Sequence, residues 1–327
     1  MNYKLAVRFL DYMSNILRVD AAYCFDIFKL INPNSLTSKK QSQNIYNEFS
    51  FIGDENGVIE SKIRILNLFF PKNISDKKLK ELKKERLKNI SDIFSLLSTF
   101  REYACFKDLN KIKRLMRDFN ANPDWLLQFG FEIDKNNNLR IKVYFSNNNR
   151  VKNDPFFIIK NLEKISEMFG IKYNRLVDSL VFNNKIDAIA IDFTKKGIGI
   201  KIYDYTHYPD EQRVDYLLAK YELFGDFKND SLYKNFATLI KKHKLYGERN
   251  FDTMFAYRFA LNSMELKSEK IYVHIKPYVD AGKFFNQANP AFAKDIYNQK
   301  LFDFMRINNI KLSFIGHEKN KIFFYVR

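Results

Sequence analysis

The chain lacks the marks of several common chemistries. It has only two cysteines in 327 residues. Cys24 and Cys105 stand apart without metal-ligand or redox spacing, which excludes a disulfide scaffold and a thiolate cage and predicts reduced thiols of a cytosolic protein. No apolar run of about 18 residues occurs, and Lys4, Arg8 and Asp11 break up the opening segment. The expectation is a soluble, cytoplasmic chain with neither a membrane span nor a signal-peptide core. No GxxxxGK[ST] is present, which excludes an ordinary P-loop, and Gly197-Ile198-Gly199 lacks the third glycine and the helix of a dinucleotide fingerprint. HExxH, CxxC and Gly-x-Ser-x-Gly are absent as well. Acidic residues are in deficit, with Asp+Glu 38 against Lys+Arg 55 and a formal charge of +17. Such an excess favours anionic partners: phosphates, nucleic acid or anionic lipid.

What is present is a recurring strand pattern. Hydrophobic residues make up 46% and aromatics 16%, enough to bury an enzyme-sized core. In five segments a β-branched or aromatic residue alternates with Lys, Arg, Tyr or His. They are Lys62-Ile63-Arg64-Ile65, Arg140 to Phe145, Gly199 to Tyr203, Tyr272 to Lys276 and Lys321 to Val326. Side chains on a strand alternate between faces, so each segment presents one apolar face and one basic, phenolic face. A single such strand is ordinary hydrophobic-in, polar-out patterning. Tyr144, Tyr203, Tyr272 and Tyr325, however, each lie beside or two residues from a cation, and that recurrence points to a shared anionic ligand. Further cations fall in a helical run from Lys77 to Lys88, which reads as a solvated face.

Along the chain, helical and hairpin signals alternate. Amphipathic helices are predicted over 4–17 and 20–31, then a hairpin at 46–68 turning at Gly53 to Gly57, then helix in pieces from Ser75 to about 120 with Ser91 a second N-cap. A hairpin pairs 125–134 with 139–146. Asp154-Pro155 then opens a helix that carries Ile158, Leu162, Ile165 and Phe169 on one face. A third hairpin pairs 186–193 with 198–205, helices follow at about 209–224 and 231–243, and a fourth hairpin spans 252–276. Helical pieces between 281 and 307 precede the last, 310–315 with 321–327. The order is helices then hairpin, five times over. Ten antiparallel strands with one apolar face need cover for that face and closure of their edges. The prediction is an α+β fold in one domain, 1–327: a ten-stranded antiparallel β-barrel with a polar lumen, wrapped by helices.

The five units, with Arg140-x-Lys142-x-Tyr144, Lys201-x-Tyr203 and Tyr272-x-His274, resemble the ABBA-type aromatic prenyltransferases over essentially the whole chain. Within that superfamily the sequence looks most like the cyanobactin-type peptide prenyltransferases, on Leu-Arg-Ile-Lys-Val-Tyr-Phe, Ile-Tyr-Val-His-Ile-Lys-Pro and Lys-Ile-Phe-Phe-Tyr. The resemblance implies a lumen holding an allylic diphosphate, and transfer of a dimethylallyl or geranyl group to a nucleophilic side chain of a cyclic, ribosomally made peptide. The chain ends directly after its last strand, where relatives acting on small aromatics carry a closing helix; a small aromatic acceptor is the alternative. Mg²⁺ is expected with the diphosphate, with no protein ligand assignable. No DDxxD-like cluster occurs, which disfavours the all-helical isoprenoid synthases.

Ionising an allylic diphosphate requires stabilisation of the leaving group and shelter for the carbocation. Arg64, Arg140, Lys142, Lys201, His274 and Lys276 are the expected phosphate contacts, through charge-assisted bonds. Tyr144, Tyr203, Tyr272 and Tyr325 would donate to phosphate and shield the cation, their faces contributing on the order of 1–2 kcal/mol each where desolvated. Glu48 alternates with Phe49 and Phe51 on the polar side of its strand. A glutamate on this strand is the base in many members of the resembling family, so Glu48 is the expected general base. Glu132 is the second candidate and Asp192 the third; each could equally be a carboxylate paired to a neighbouring cation. A non-catalytic nucleic-acid binder, with tyrosines stacking bases on a basic sheet, is the rival of another class. Against it, no RNP-like motif or basic recognition helix is present.

Overall fold

The strands close into a ring because each has two antiparallel partners and the first pairs with the last. In the computed structural model the order is β1-β10-β9-β8-β7-β6-β5-β4-β3-β2. The structure describes residues 1, 3–32, 45–69, parts of 75–88, 109–121, 125–147, 154–184, 186–208, parts of 218–222, 227, 230–242, 251–274 and 286–327. The strands are β1 (Ile45–Asp54), β2 (Lys62–Phe69), β3 (Trp125–Asp134), β4 (Leu139–Asn147), β5 (Ile186–Thr194), β6 (Gly197–Tyr208), β7 (Phe251–Phe259), β8 (Leu266–His274), β9 (Leu312–Glu318) and β10 (Lys321–Val326). Sequential hairpins place all five tight turns at one end of the barrel and the helical connections at the other. The predicted α+β barrel is the observed one.

The helices form where the sequence period changes from two to near four. Helix α1 (Tyr3–Leu17) buries Ala6, Phe9, Leu10, Met13 and Leu17, and α2 (Ala21–Ile31) starts at Asp20, whose carboxylate accepts the Tyr23 amide at 3.1 Å. Helix α3 (Leu109–Ala121) precedes the second hairpin. Helix α4 (Pro155–Phe169) begins as predicted, with Asp154 accepting the amides of Phe156 and Phe157 at 3.0 and 3.3 Å and Pro155 in the first turn. It ends at Gly170, whose φ of 62° lies in the left-handed region. Helices α5 (Leu176–Asn183), α6 (Ser231–Lys242) and α7 (Ile296–Ile307) follow, α7 after a short 3-10 helix at Pro290–Lys294.

Each unit lays an aromatic ring on the outside of its own hairpin. Phe9 meets Phe49 at 4.9 Å, Phe119 stacks on Phe145 at 3.9 Å, Phe169 meets Phe193 at 6.0 Å, Tyr221 meets Phe255 at 6.3 Å and Phe292 meets Phe324 at 5.8 Å. The main core therefore lies between barrel and helices, leaving the lumen free for polar groups.

Some boundaries differ from the sequence expectation. Strand β1 runs on through Asp54, because the Asp54 carboxylate accepts the amides of Asn56 and Val58 and holds the turn beyond it. Strand β9 covers Leu312–Glu318 rather than 310–315. Ser91, Cys105 and most of the helix expected at 209–224 lie outside the described residues.

Candidate functional site

The alternation that turns Ile63 and Ile65 outward turns Lys62 and Arg64 into the lumen, and register carries the same face around the ring. Arg64 pairs with Glu132 and Glu132 with Arg140; Lys142 pairs with Asp192, and Lys201 with Arg258. Ala256 pairs with Lys270, and Tyr272 with Gly316. Gly316 makes room for the Tyr272 ring: a Cβ there would stand 2.8 Å from Tyr272 Cδ1. Arg64, Glu132, Arg140, Lys142, Lys201, Ala256, Arg258, Lys270 and Tyr272 help to line a cavity of about 310 Å³, at the small end of ligand pockets. It reaches the tight-turn end of the barrel, where Lys319 and Asn320 line it.

The cavity wall carries ten cations and three carboxylates. Glu132 sits among four of the cations. Arg64 Nε donates to it at 3.0 Å, and Lys62, Arg140 and Lys142 approach to 3.7, 3.7 and 3.6 Å. Burial alone would raise its pKa, but Arg64, Lys142, Arg140 and Lys62 outweigh it and hold the carboxyl well below the usual carboxylate range. Glu60 behaves likewise. Burial is overcome by Lys321, which donates at 2.6 Å, and by Arg64 and Lys62, which bring it down to about 2. Asp192 accepts from Lys201 at 2.9 Å, and it too is lowered, burial being outweighed by Lys201, Lys142 and Arg140. Lys142 goes the other way: burial first, then Lys201, lower its ammonium to about 8. Lys270 is buried, its Nζ 2.8 Å from the Phe323 ring centre and 4.6 Å from that of Tyr272. Burial lowers its pKa strongly, against the opposing pull of Glu318.

Deeper along the lumen the four tyrosines form a collar. Ring centres are 5.8 Å apart for Tyr144 and Tyr203, 6.5 Å for Tyr203 and Tyr272, and 5.5 Å for Tyr272 and Tyr325. Tyr325 Oη donates to Tyr272 Oη at 3.3 Å. Burial raises all four phenols above their ordinary range, so they stay neutral donors. Ala188, Ala190, Ala256, Met254 and Phe314 pack with them. The result is an apolar aromatic ring next to a strongly cationic one.

Glu48 lies on the lumen face one alternation past Ser50, which pairs with Tyr325, and it is buried without lining the cavity itself. A bulge in β9–β10 leaves Ser313 as the extra residue, and Ser313 Oγ donates to Glu48 Oε2 at 2.6 Å. Burial raises the Glu48 pKa, and Arg327 and Ser313 only partly offset it. A carboxylate so placed is a stronger base than one in water. Glu132, ionised among its cations, is a weak proton acceptor, and Asp192 shares that environment.

Nine of the thirteen residues singled out in the sequence therefore line one cavity: Arg64, Glu132, Arg140, Lys142, Lys201 and the four tyrosines, while Asp192 pairs with Lys201 behind its wall. Glu48 stands beyond the collar. His274 is placed by backbone alone, paired with Phe314 at the end of β8, and Lys276 lies outside the described residues. Sequence reasoning missed Arg258, Lys270, Glu318 and Glu60, and gave no role to Lys321, although it lies in one of the five alternating segments. Lys270 and Ser268 continue the Tyr272 alternation upstream, so extending that strand by four residues would have found them. Glu60, Glu132, Asp192 and Glu318 are all engaged by cations, and among the described residues no three acidic, His or Cys side chains group to hold a metal.

No protein-family model matches the chain, and no curated protein matches it in sequence. Solved structures do. A 6-dimethylallyl tryptophan synthase superposes with a TM-score of 0.63 at 13% identity, covering 98% of this chain and 95% of that one. The 6-dimethylallyltryptophan synthase from Micromonospora olivasterospora, in complex with DMASPP and Trp, gives 0.61 at 13% identity over the same shares. NotF in complex with brevianamide F and DMSPP gives 0.50 at 14%, covering 89% and 81%. From strand order, lumen polarity and these superpositions, the chain has the ABBA-type prenyltransferase barrel fold.

Proposed function

We propose that the chain is a prenyltransferase that moves a dimethylallyl group from its diphosphate to a small aromatic acceptor of indole type. The observation that carries this reading is the layering of one lumen: cations at the mouth, a neutral tyrosine collar below, and a buried carboxyl of raised basicity beyond. Each layer matches one demand of the chemistry. The C1–O bond of the donor breaks and its electron pair leaves on the diphosphate, held by Arg64, Lys142, Lys201 and Lys270. The carbocation rests against the tyrosine faces, which exclude water. The acceptor's ring carbon or nitrogen supplies the electron pair of the new bond, and its proton passes to Glu48. Glu132 keeps Arg64, Arg140 and Lys142 in place. The cation-rich wall supports a diphosphate bound by side chains, and the small cavity suits a five-carbon donor better than geranyl.

The tryptophan and brevianamide F bound in similar folds support an indole acceptor; nothing comparable supports the peptide acceptor or the cyanobactin-type subgroup. The test is incubation with dimethylallyl diphosphate and a panel of tryptophan, cyclic dipeptides and cyclic peptides, read by mass spectrometry. Addition of one C5H8 unit to an indole is the expected result. Transfer to cyclic peptides alone would reverse the acceptor assignment. Absence of transfer, together with binding of a thiolodiphosphate analogue no tighter than inorganic diphosphate, would sink the enzyme reading.

A further inference from the structure

The lumen cations form two tiers that differ in exposure. Arg64, Lys142, Lys201 and Lys270 form an inner tier whose exposure runs from 6% to 16%. Lys62, Arg140, Arg258 and Lys321 stand nearer the solvent at 32% to 44%, and the exposed Lys267 and Lys319 extend their ring to the rim. Against these ten cations stand four carboxylates among the described residues, Glu60, Glu132, Asp192 and Glu318, which leaves a surplus of six positive charges. Were Lys270 neutral in the empty protein, five would remain. A donor diphosphate carries about three negative charges at neutral pH. One bound diphosphate therefore leaves the mouth strongly positive, and the remainder lies in the outer tier. A second sign of anion demand lies deeper: Arg64 Nη1 is buried and makes no hydrogen bond.

We propose that the outer tier is a second, weaker site for a diphosphate-class anion, stacked over the inner site at the turn end of the barrel. Its use follows from its position. The donor's head group meets it on the way in, and inorganic diphosphate displaced from the inner tier is held there before release, which lowers the barrier to leaving a deep, cationic pocket. The inference takes from the prenyl-transfer reading only the identity of the anion.

Calorimetric titration of the full chain with inorganic diphosphate, in chelator and without divalent cations, tests it. Two ions per chain are expected, one tight and one weak. In the double variant Lys267→Ser, Lys319→Ser, both at exposed positions, the weak site should lose roughly tenfold in affinity, or about 1.4 kcal/mol, while the tight site changes less than about twofold. Lys319→Glu should do the same. One ion per chain in the unmodified protein, or parallel weakening of both sites, overturns the proposal. Prenyl transfer with a single diphosphate site sinks this inference alone, whereas two sites without transfer sink the enzymatic reading and leave the two anion sites standing.

Discussion

Glu48 and Glu132 share a lumen and a side-chain type, yet their surroundings drive them apart. Burial with one hydroxyl donor raises Glu48, and four cations depress Glu132. Substitution to glutamine should separate them. Glu48→Gln is expected to bind donor analogues normally and to lose roughly 10²–10⁴ of the transfer rate, as for a general base. Its stability should be unchanged at low pH and greater than that of the unmodified chain at high pH. The sign follows because a raised carboxyl favours the protonated fold, a contribution lost as pH rises through its folded pKa. Glu132→Gln leaves Arg64 and its neighbours uncompensated, so a loss of about 3–5 kcal/mol in urea unfolding is expected. Equal instability of the two variants would mean that Glu48 is one more structural ion-pair partner. The residue types at this scale were legible from alternation, but their partners were not. Whether an inward carboxylate is a base or a counterion depends on contacts between strands far apart in the chain, 265 residues apart for Ser313 and Glu48.

At the scale of elements, the repeated device is a helix or short segment that sets one aromatic ring on the outer face of the following hairpin. Phe119 on Phe145 is the closest of these contacts, at 3.9 Å, and both rings are buried. Phe119→Ala should cost about 3–5 kcal/mol, measured as a fall in the denaturant midpoint. Because the ring lies outside the barrel, the affinity for diphosphate should hold in the folded fraction. An equal loss of anion binding would mean that the lumen does not keep its shape independently of its cover. Strand positions were readable since period-two alternation is local, as were Asp154-Pro155 and the five hairpins. The docking of rings was not, and Gly53 shows why: read as a turn residue, it lies in β1 where a Cβ would stand 2.1 Å from Phe292 Cζ, a contact made across most of the chain.

The whole molecule concentrates a good part of its +17 charge in a single low-dielectric lumen. That arrangement holds only while its few carboxylates stay ionised. Burial would raise them, yet Glu132, Glu60, Asp192 and Glu318 are all lowered by neighbouring cations, Glu60 to about 2. A carboxyl with a depressed folded pKa contributes stability that is fully present above its unfolded value and disappears as pH falls through the folded one. Stability should therefore hold from neutral pH to about 4.5 and then drop steeply toward pH 2, as each protonation removes an anion from among several cations. Inorganic diphosphate at neutral pH should act in the opposite sense and raise the melting midpoint, since it binds the folded lumen and not the dispersed charges of the unfolded chain. Sodium sulfate at matched ionic strength should raise it less, because general screening reaches exposed charges more readily than buried ones. Thermal melts across pH 2–8 with each anion would measure both effects. Equal stabilisation by sulfate and diphosphate would mean that the lumen offers a diffuse positive field rather than fitted sites, and the layered arrangement of cations, phenols and a buried base would lose its first layer.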